Sequence, residues 1–120
     1  MSVLWIKCAS FLLFLGVLLG AFGAHALRGK LTDYSLEVYK TAVLYHLIHA
    51  LGIYAVAWIS TQTADPKVMW SGICLSAGIF LFSGSLYALA MTGIKGLGAI
   101  TPLGGLCFLT GWLLLVIAKI

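Results

Sequence analysis

Three histidines and a few hydroxyl side chains are the residues of this chain whose types could support chemistry. They define what we call the candidate polar cluster: His25, Tyr45, His46, His49, Ser83, Ser85, Tyr87 and Thr101. Long apolar segments surround them, and a polar side chain in such a segment needs a hydrogen-bonding partner. His49 lies about 12 Å beyond Thr41 along its helix. We therefore expect His49 to be neutral and bonded to a hydroxyl or a backbone carbonyl across a helix interface.

The histidine spacing also fits a ligand set. On a helix, His46 and His49 share one stripe with Tyr39 and Ala42, because their spacings of three, four and three follow the helical period. With His25 from the preceding apolar run, they could supply three nitrogen ligands to zinc or copper, or one of them could ligate haem. A proton relay through His25 and His49 is a further hypothesis. We assign the histidines to interhelical hydrogen bonding, with no metal and no cofactor.

Other kinds of chemistry find no support in the sequence. Neither a Ser/His/Asp nor a Cys/His arrangement has a recognisable context, so we assign no catalytic residue and predict that the protein is not an enzyme. The net charge of +4 is spread without a basic cluster, which argues against nucleic acid as a partner. Cys8, Cys74 and Cys107 are odd in number and read as small apolar residues.

Composition defines the elements that must position these residues. The 120 residues are 62% hydrophobic and 8% charged, whereas a soluble domain carries about 25% charged residues. We predict an all-α integral membrane bundle of four transmembrane helices with short loops, forming one membrane domain over 1–120. The predicted spans are 4–27, 41–60, 68–92 and 97–118. The polar stretch between the first two spans predicts an interfacial helical segment capped by Thr32.

The first apolar run also resembles a signal peptide, because Ala24-His25-Ala26 is similar to a cleavage site. Its small-residue spacing favours a retained helix instead. Gly16 and Gly20 form a GxxxG motif, and small residues allow close helix approach in lipid. The glycines predicted to pack helices are Gly16, Gly20, Gly23, Gly84, Gly104, Gly105 and Gly111.

Connectivity suggests where the candidate polar cluster lies. The first helix ends on the side where the second begins, and the third ends where the fourth begins, so we expect the cluster in one leaflet. We expect His25 to hydrogen-bond within it. The basic groups divide evenly between the two sides, so charge alone does not orient the bundle. One side has Lys7, Lys67, Lys119 and the amino terminus, and the other has Arg28, Lys30, Lys40 and Lys95.

Several sequence blocks occur in an order that indicates a family. They are Gly20-Ala21-Phe22-Gly23-Ala24-His25, Tyr45 with His49-Ala50, Phe82-Ser83-Gly84-Ser85-Leu86-Tyr87, Thr101-Pro102-Leu103-Gly104-Gly105 and Gly111-Trp112. Nearly the whole chain resembles the family called domain of unknown function 423, small bacterial inner-membrane proteins of the YgdD-like or YwdK-like kind. The resemblance implies four spans and cytoplasmic termini, and it implies no activity. In that pattern the histidines matching His25 and His49 recur, whereas position 46 is often another residue such as glutamine. The resemblance thus favours a two-histidine polar cluster over a three-histidine metal site.

Three functional hypotheses follow. The first is a non-enzymatic oligomeric scaffold or accessory membrane subunit, whose partners are the lipid bilayer and either further copies or other membrane proteins. The second is a small dimeric transporter or channel with the candidate polar cluster at its mouth. It lacks the membrane-embedded glutamate in the first helix that a proton-coupled drug exporter would need. The third is a metal or haem carrier.

Overall fold

Four long helices make up the protein, and the computed structural model describes residues 2–120 of it. The helices are α1 (Ser2–His25), α2 (Asp33–Ile59), α3 (Pro66–Thr92) and α4 (Lys95–Ile117), and each is long and apolar enough to cross a membrane. The described residues contain no strand. The long axis measures 48 Å, close to a bilayer of about 40–45 Å including its headgroups. The predicted all-α four-helix membrane fold is confirmed.

The helix boundaries differ from prediction mainly at the start of α2. Other ends lie within two residues of the predicted spans, but α2 begins at Asp33 rather than near position 41. The predicted interfacial segment is therefore the first part of one continuous helix. Thr32 caps it as expected, because its Oγ1 accepts a hydrogen bond from the Ser35 amide at 3.1 Å. The amino terminus counted in the charge balance lies outside the described residues.

Helix α2 occupies the middle of the bundle. It packs along α1 on one side and against α3 on the other, while α4 packs mainly on α3. Ile53 and Val56 of α2 meet the central core, to which α3 contributes Val68 and Leu75, and all four side chains are fully buried. Lipid is as apolar as these side chains, so close packing rather than escape from water holds this core together.

A π-helical turn interrupts α3 at Ile79–Ser83. There the amide of Gly84 bonds to the carbonyl of Ile79, five residues earlier, which accommodates one extra residue. The two parts of α3 consequently have different partners. The part before the turn packs mainly on α4, and the part after it packs mainly on α2.

Most of the predicted packing glycines lie at close helix contacts. A Cβ on Gly111 would approach Leu75 Cδ2 to 2.8 Å, and one on Gly104 would collide with the backbone of Phe82. Gly16 and Gly23 are similarly crowded, and Gly20 is tight against Val43 at 3.3 Å. At Gly84 and Gly105 the nearest atoms stand at 4.0 and 3.9 Å, so the prediction that these two permit close packing is wrong.

The loop before α3 is fastened to the carboxyl-terminal end of the chain by Asp65. Its Oδ1 accepts from the Lys67 amide at 2.9 Å, and its Oδ2 accepts from the Lys119 amide at 2.8 Å. Thr63 adds a hydrogen bond to the Lys119 carbonyl at 2.6 Å. The bonds from the Lys119 and Lys67 amides hold the pKa of the Asp65 carboxyl below its ordinary value, because they stabilise the carboxylate.

Adjacent glycines in α4 provide a matched pair of substitutions. We expect Gly104→Ala to lower the free energy of unfolding by about 1–3 kcal/mol, the usual cost of overpacking, because the Phe82 backbone cannot move aside. Gly105→Ala should be neutral or stabilising by about 1 kcal/mol, since its Cβ would make an ordinary van der Waals contact with Phe82 Cδ2 at 3.9 Å and alanine favours a helix. Reversible unfolding by SDS in mixed micelles measures both, and equal losses would contradict the contact.

The hydrogen bonds from the Lys67 and Lys119 amides to the Asp65 carboxylate predict a pH dependence of stability. A carboxyl whose pKa is lowered in the folded state stabilises the fold above its unfolded pKa, near 3.8, and loses that effect as the pH falls through the folded value. We expect Asp65→Asn to reduce thermal stability at pH 7 and the difference from wild type to shrink below about pH 4. Melting curves of both proteins in detergent measure this. A difference independent of pH would contradict a role for the carboxylate.

Candidate functional site

His46 lies at the midpoint of α2 and joins three helices. Its ring is 3% exposed, and its Nε2 is 2.7 Å from the Leu12 carbonyl of α1. Because a carbonyl can only accept, Nε2 carries the proton, and Nδ1 of the neutral ring is an acceptor. The Tyr87 hydroxyl of α3 therefore donates to Nδ1, across 2.9 Å. The sequence-based expectation of a buried, hydrogen-bonded histidine holds at this position.

A glycine makes the Leu12 carbonyl accessible. In a helix this carbonyl already accepts from the amide four residues on, which here belongs to Gly16. A side chain at that position would crowd the approach, since a Cβ on Gly16 would stand 2.6 Å from Leu47 Cδ2 and 3.4 Å from His46 Cδ2. The missing side chain thus lets the imidazole reach a carbonyl that is already bonded within its own helix.

The same arrangement recurs seven residues away. Tyr39 donates its hydroxyl hydrogen bond to the Leu19 carbonyl, and its ring lies over Gly23, the residue four beyond Leu19. Tyr39 is 3% exposed and meets the Tyr87 ring edge-on, with 5.3 Å between ring centroids. We call Leu12, Leu19, Tyr39, His46 and Tyr87 the carbonyl-bonded network. Tyr39 was missing from the candidate polar cluster, although the seven-residue match between the two glycines and Tyr39 and His46 is visible in the sequence.

His49 belongs to a different environment. Its Nδ1 donates to the Tyr45 carbonyl one turn back at 2.8 Å, so the bond lies within α2. The expectation that His49 bonds across a helix interface is therefore wrong. Its ring stacks on Phe108 of α4 with 3.5 Å between centroids and 13° between planes. Tyr45 also packs on Phe82, at 4.5 Å between centroids. His49 and Tyr45 of α2 are therefore members of an aromatic cluster with Phe82 of α3 and Phe108 of α4.

The serine hydroxyls make hydrogen bonds between helices or within one helix. Ser83 donates to the Ala42 carbonyl of α2 at 2.7 Å and is fully buried. Ser85 lies 2.6 Å from the Thr101 hydroxyl of α4, a bond that crosses from α3. Ser71, which the candidate cluster omitted, is also fully buried and donates to the Gly111 carbonyl at 2.7 Å.

The prediction that His25 hydrogen-bonds within the candidate polar cluster is wrong. Its side chain is exposed and makes no hydrogen bond to residues 2–120. The reason is helical phase: Gly23 faces Tyr39, and two residues further on a helix has turned by about 200°, to the opposite face. His46 and His49 lie at and just beyond the middle of α2, so the histidines do not share one half of the bundle.

This geometry does not assemble the three-histidine ligand set. Among residues 2–120, no group of three or more His, Cys, Asp or Glu side chains could hold a metal ion. Both ring nitrogens of His46 are engaged, and its proton would have to leave toward a backbone carbonyl, which cannot pass it on. The arrangement is therefore one of helix-to-helix hydrogen bonds.

The fold and the site define a multi-pass helical membrane protein whose interior polar groups bond helices together. Residues 19–105 match the family described as protein of unknown function (DUF423), and the chain belongs to this family. It is 50% identical to the UPF0382 membrane protein YwdK of Bacillus subtilis over 107 residues, covering 88% of this chain and 87% of that protein. A UPF0382 membrane protein of Staphylococcus haemolyticus is 52% identical over 99 residues, covering 82% of this chain and 80% of the relative. No solved structure gives a significant match.

The bond between His46 and Tyr87 can be measured by a double-mutant cycle. We expect His46→Phe and Tyr87→Phe each to destabilise the protein, with a coupling of about 0.6–1.7 kcal/mol, the range for interhelical hydrogen bonds in membranes. His46→Gln should recover part of the loss, because its amide can donate to Leu12. SDS unfolding provides the four free energies.

His25→Ala is the control for this cycle, because it changes an exposed histidine and should stay within about 0.5 kcal/mol of wild type. Strictly additive losses for the two phenylalanine variants would contradict a direct bond. A loss of unfolding free energy in His25→Ala as large as that in His46→Phe would also contradict it.

Proposed function

We propose that this protein is a non-enzymatic scaffold or accessory subunit, a single membrane domain of the bacterial plasma membrane that presents helix faces to other membrane proteins or to further copies of itself. The observation that supports this most directly is the use of its buried polar groups. His46, Ser71, Ser83 and Ser85 are all bonded to protein atoms. Of the buried side-chain nitrogen and oxygen atoms in residues 2–120, Trp5 Nε1 has no partner.

A site for transport or catalysis needs polar groups that can change partners during each cycle. Here the imidazole of His46 is held from both sides, and the serine hydroxyls are bonded to carbonyls or to Thr101. Breaking such bonds in lipid leaves polar groups without water to replace the partner. This favours a rigid body over a moving pathway, and hence the scaffold over the transporter.

The outer helices supply the surfaces for association. In α1 and α4, 22% and 17% of the most apolar stretch is buried, compared with 44% in α2 and 39% in α3. Helix α4 carries an outward stripe at spacings of three, four and three, in which every residue is more than half exposed: Leu106, Leu109, Leu113 and Val116. Such a heptad-like stripe can pack along a second helix.

The proposal includes an orientation with both termini in the cytoplasm. Its support is the family relationship, since the basic residues divide evenly between the two sides and leave the direction open. Two relatives are bacterial membrane proteins by name, and bundles of apolar helices are the form that spans the bacterial plasma membrane.

Photo-crosslinking in native membranes tests the outer face. We expect p-benzoylphenylalanine in place of Leu109 to form discrete adducts with one partner chain, because Leu109 is 67% exposed on the α4 stripe. The matched control replaces Phe80, which is 66% exposed and belongs to α3 rather than to the α4 stripe, and it should give lipid adducts alone. A carboxyl-terminal tag protected from protease in intact cells reports the orientation in the same samples.

Two results would overturn the proposal. One is the lack of any protein adduct at Leu109 together with the mass of a single chain in nanodiscs. The other is a flux of protons or anions in proteoliposomes that disappears with His49→Ala. That result would favour the transporter hypothesis over the scaffold.

A further inference from the structure

A groove runs along the bundle between α1 and α2, and Tyr39 of the carbonyl-bonded network forms part of its lining. It has a volume of about 520 Å³ and opens beside the turn that joins the two helices. We call it the α1–α2 groove. Its floor is apolar and its mouth carries two cations, Arg28 after the end of α1 and Lys40 in the second turn of α2.

Small side chains on α1 create the space. Gly20 and Ala24 lie one turn apart on the groove wall; Gly20 is closely packed on Val43 of α2, and Ala24 is exposed. From α2, Val43, Leu44 and Leu47 form the opposite wall, with Leu44 55% exposed. The distance along α2 from Lys40 to Leu47 is about 10 Å, within the roughly 15 Å thickness of one hydrocarbon leaflet. The floor thus has the polarity and depth of a site for a lipid tail.

The charges at the mouth indicate which lipid would bind. Arg28 has no ion-pair partner in residues 2–120. Lys40 lies 3.5 Å from Glu37, and both side chains are well exposed, at 63% and 73%. Such a surface pair contributes little, so the Lys40 ammonium can turn to a stronger acceptor. The net charge of Arg28, Lys40 and Glu37 together is positive, and a positive charge complements the negatively charged oxygens of a phosphate.

We propose that the α1–α2 groove is a binding site for an anionic phospholipid. The headgroup phosphate lies between the Arg28 guanidinium and the Lys40 ammonium, and one acyl chain lies along Gly20, Ala24 and Leu47. Basic sites between transmembrane helices recognise anionic headgroups in this way. The apolar floor below the cations selects the lipid over a free phosphate, because a small anion leaves the floor unfilled.

Native mass spectrometry of the full chain, released from detergent in the presence of phosphatidylglycerol or phosphatidylcholine, tests the site. We expect at least about a tenfold preference for phosphatidylglycerol. The double variant Arg28→Gln with Lys40→Gln should lose that preference. Ala24→Phe keeps both cations but fills the exposed wall of the groove, and it should weaken phosphatidylglycerol binding by about tenfold as well.

Lys30→Gln is the matched control, since it removes one charge from the same turn but does not line the groove. It should bind phosphatidylglycerol within about twofold of wild type. An equal loss in Lys30→Gln would overturn the proposal in favour of diffuse surface charge. Binding unchanged in Ala24→Phe, or displacement of the lipid by glycerol phosphate, would show that the groove takes no acyl chain. Circular dichroism of each variant confirms that it is folded.

Discussion

A second hydrogen bond on a helical carbonyl is the interaction on which this bundle depends. In lipid, helices gain nothing by hiding apolar surface from each other, so specific contacts must select one arrangement. The Leu12 carbonyl provides such a contact because Gly16 leaves it uncovered and His46 can reach it. Through Tyr87 the same imidazole also fixes α3, so three helices are aligned by one side chain in the middle of the membrane.

This use of polar groups explains why the interior offers so little to a substrate. A neutral histidine with both nitrogens bonded is a structural element, and its proton has nowhere to travel. In the proposed scaffold role, the surfaces that act are those on the outside of the bundle. There the chain offers two chemically different surfaces, the apolar stripe of α4 and the α1–α2 groove with its cationic mouth.

The sequence predicted the fold well because hydropathy and length alone distinguish membrane helices. It also predicted the Thr32 cap and hydrogen bonding between helices by the histidines, which His46 makes and His49 does not. It failed for His25 because connectivity specifies which end of a helix a residue occupies but not which way it faces. It assigned both Gly104 and Gly105 to helix packing, although only Gly104 lies in close contact with Phe82. The two residues differ only in the direction that they face around α4, and this direction depends on tertiary contacts. The role of Tyr39 could have been read from its seven-residue spacing to His46, given an antiparallel pairing with Gly23 and Gly16.

The π-helical turn in α3 could not have been read from the sequence, yet it makes the length of this segment as important as its composition. One residue more or fewer between Gly78 and Gly84 would rotate everything that follows by about 100°. Tyr87 would then turn away from His46 while Leu75 and Ser71 kept their places against α4. An insertion or deletion of one residue in Ile79–Ser83 would therefore separate the contacts made by the two parts of α3, even if every side chain that makes those contacts were retained.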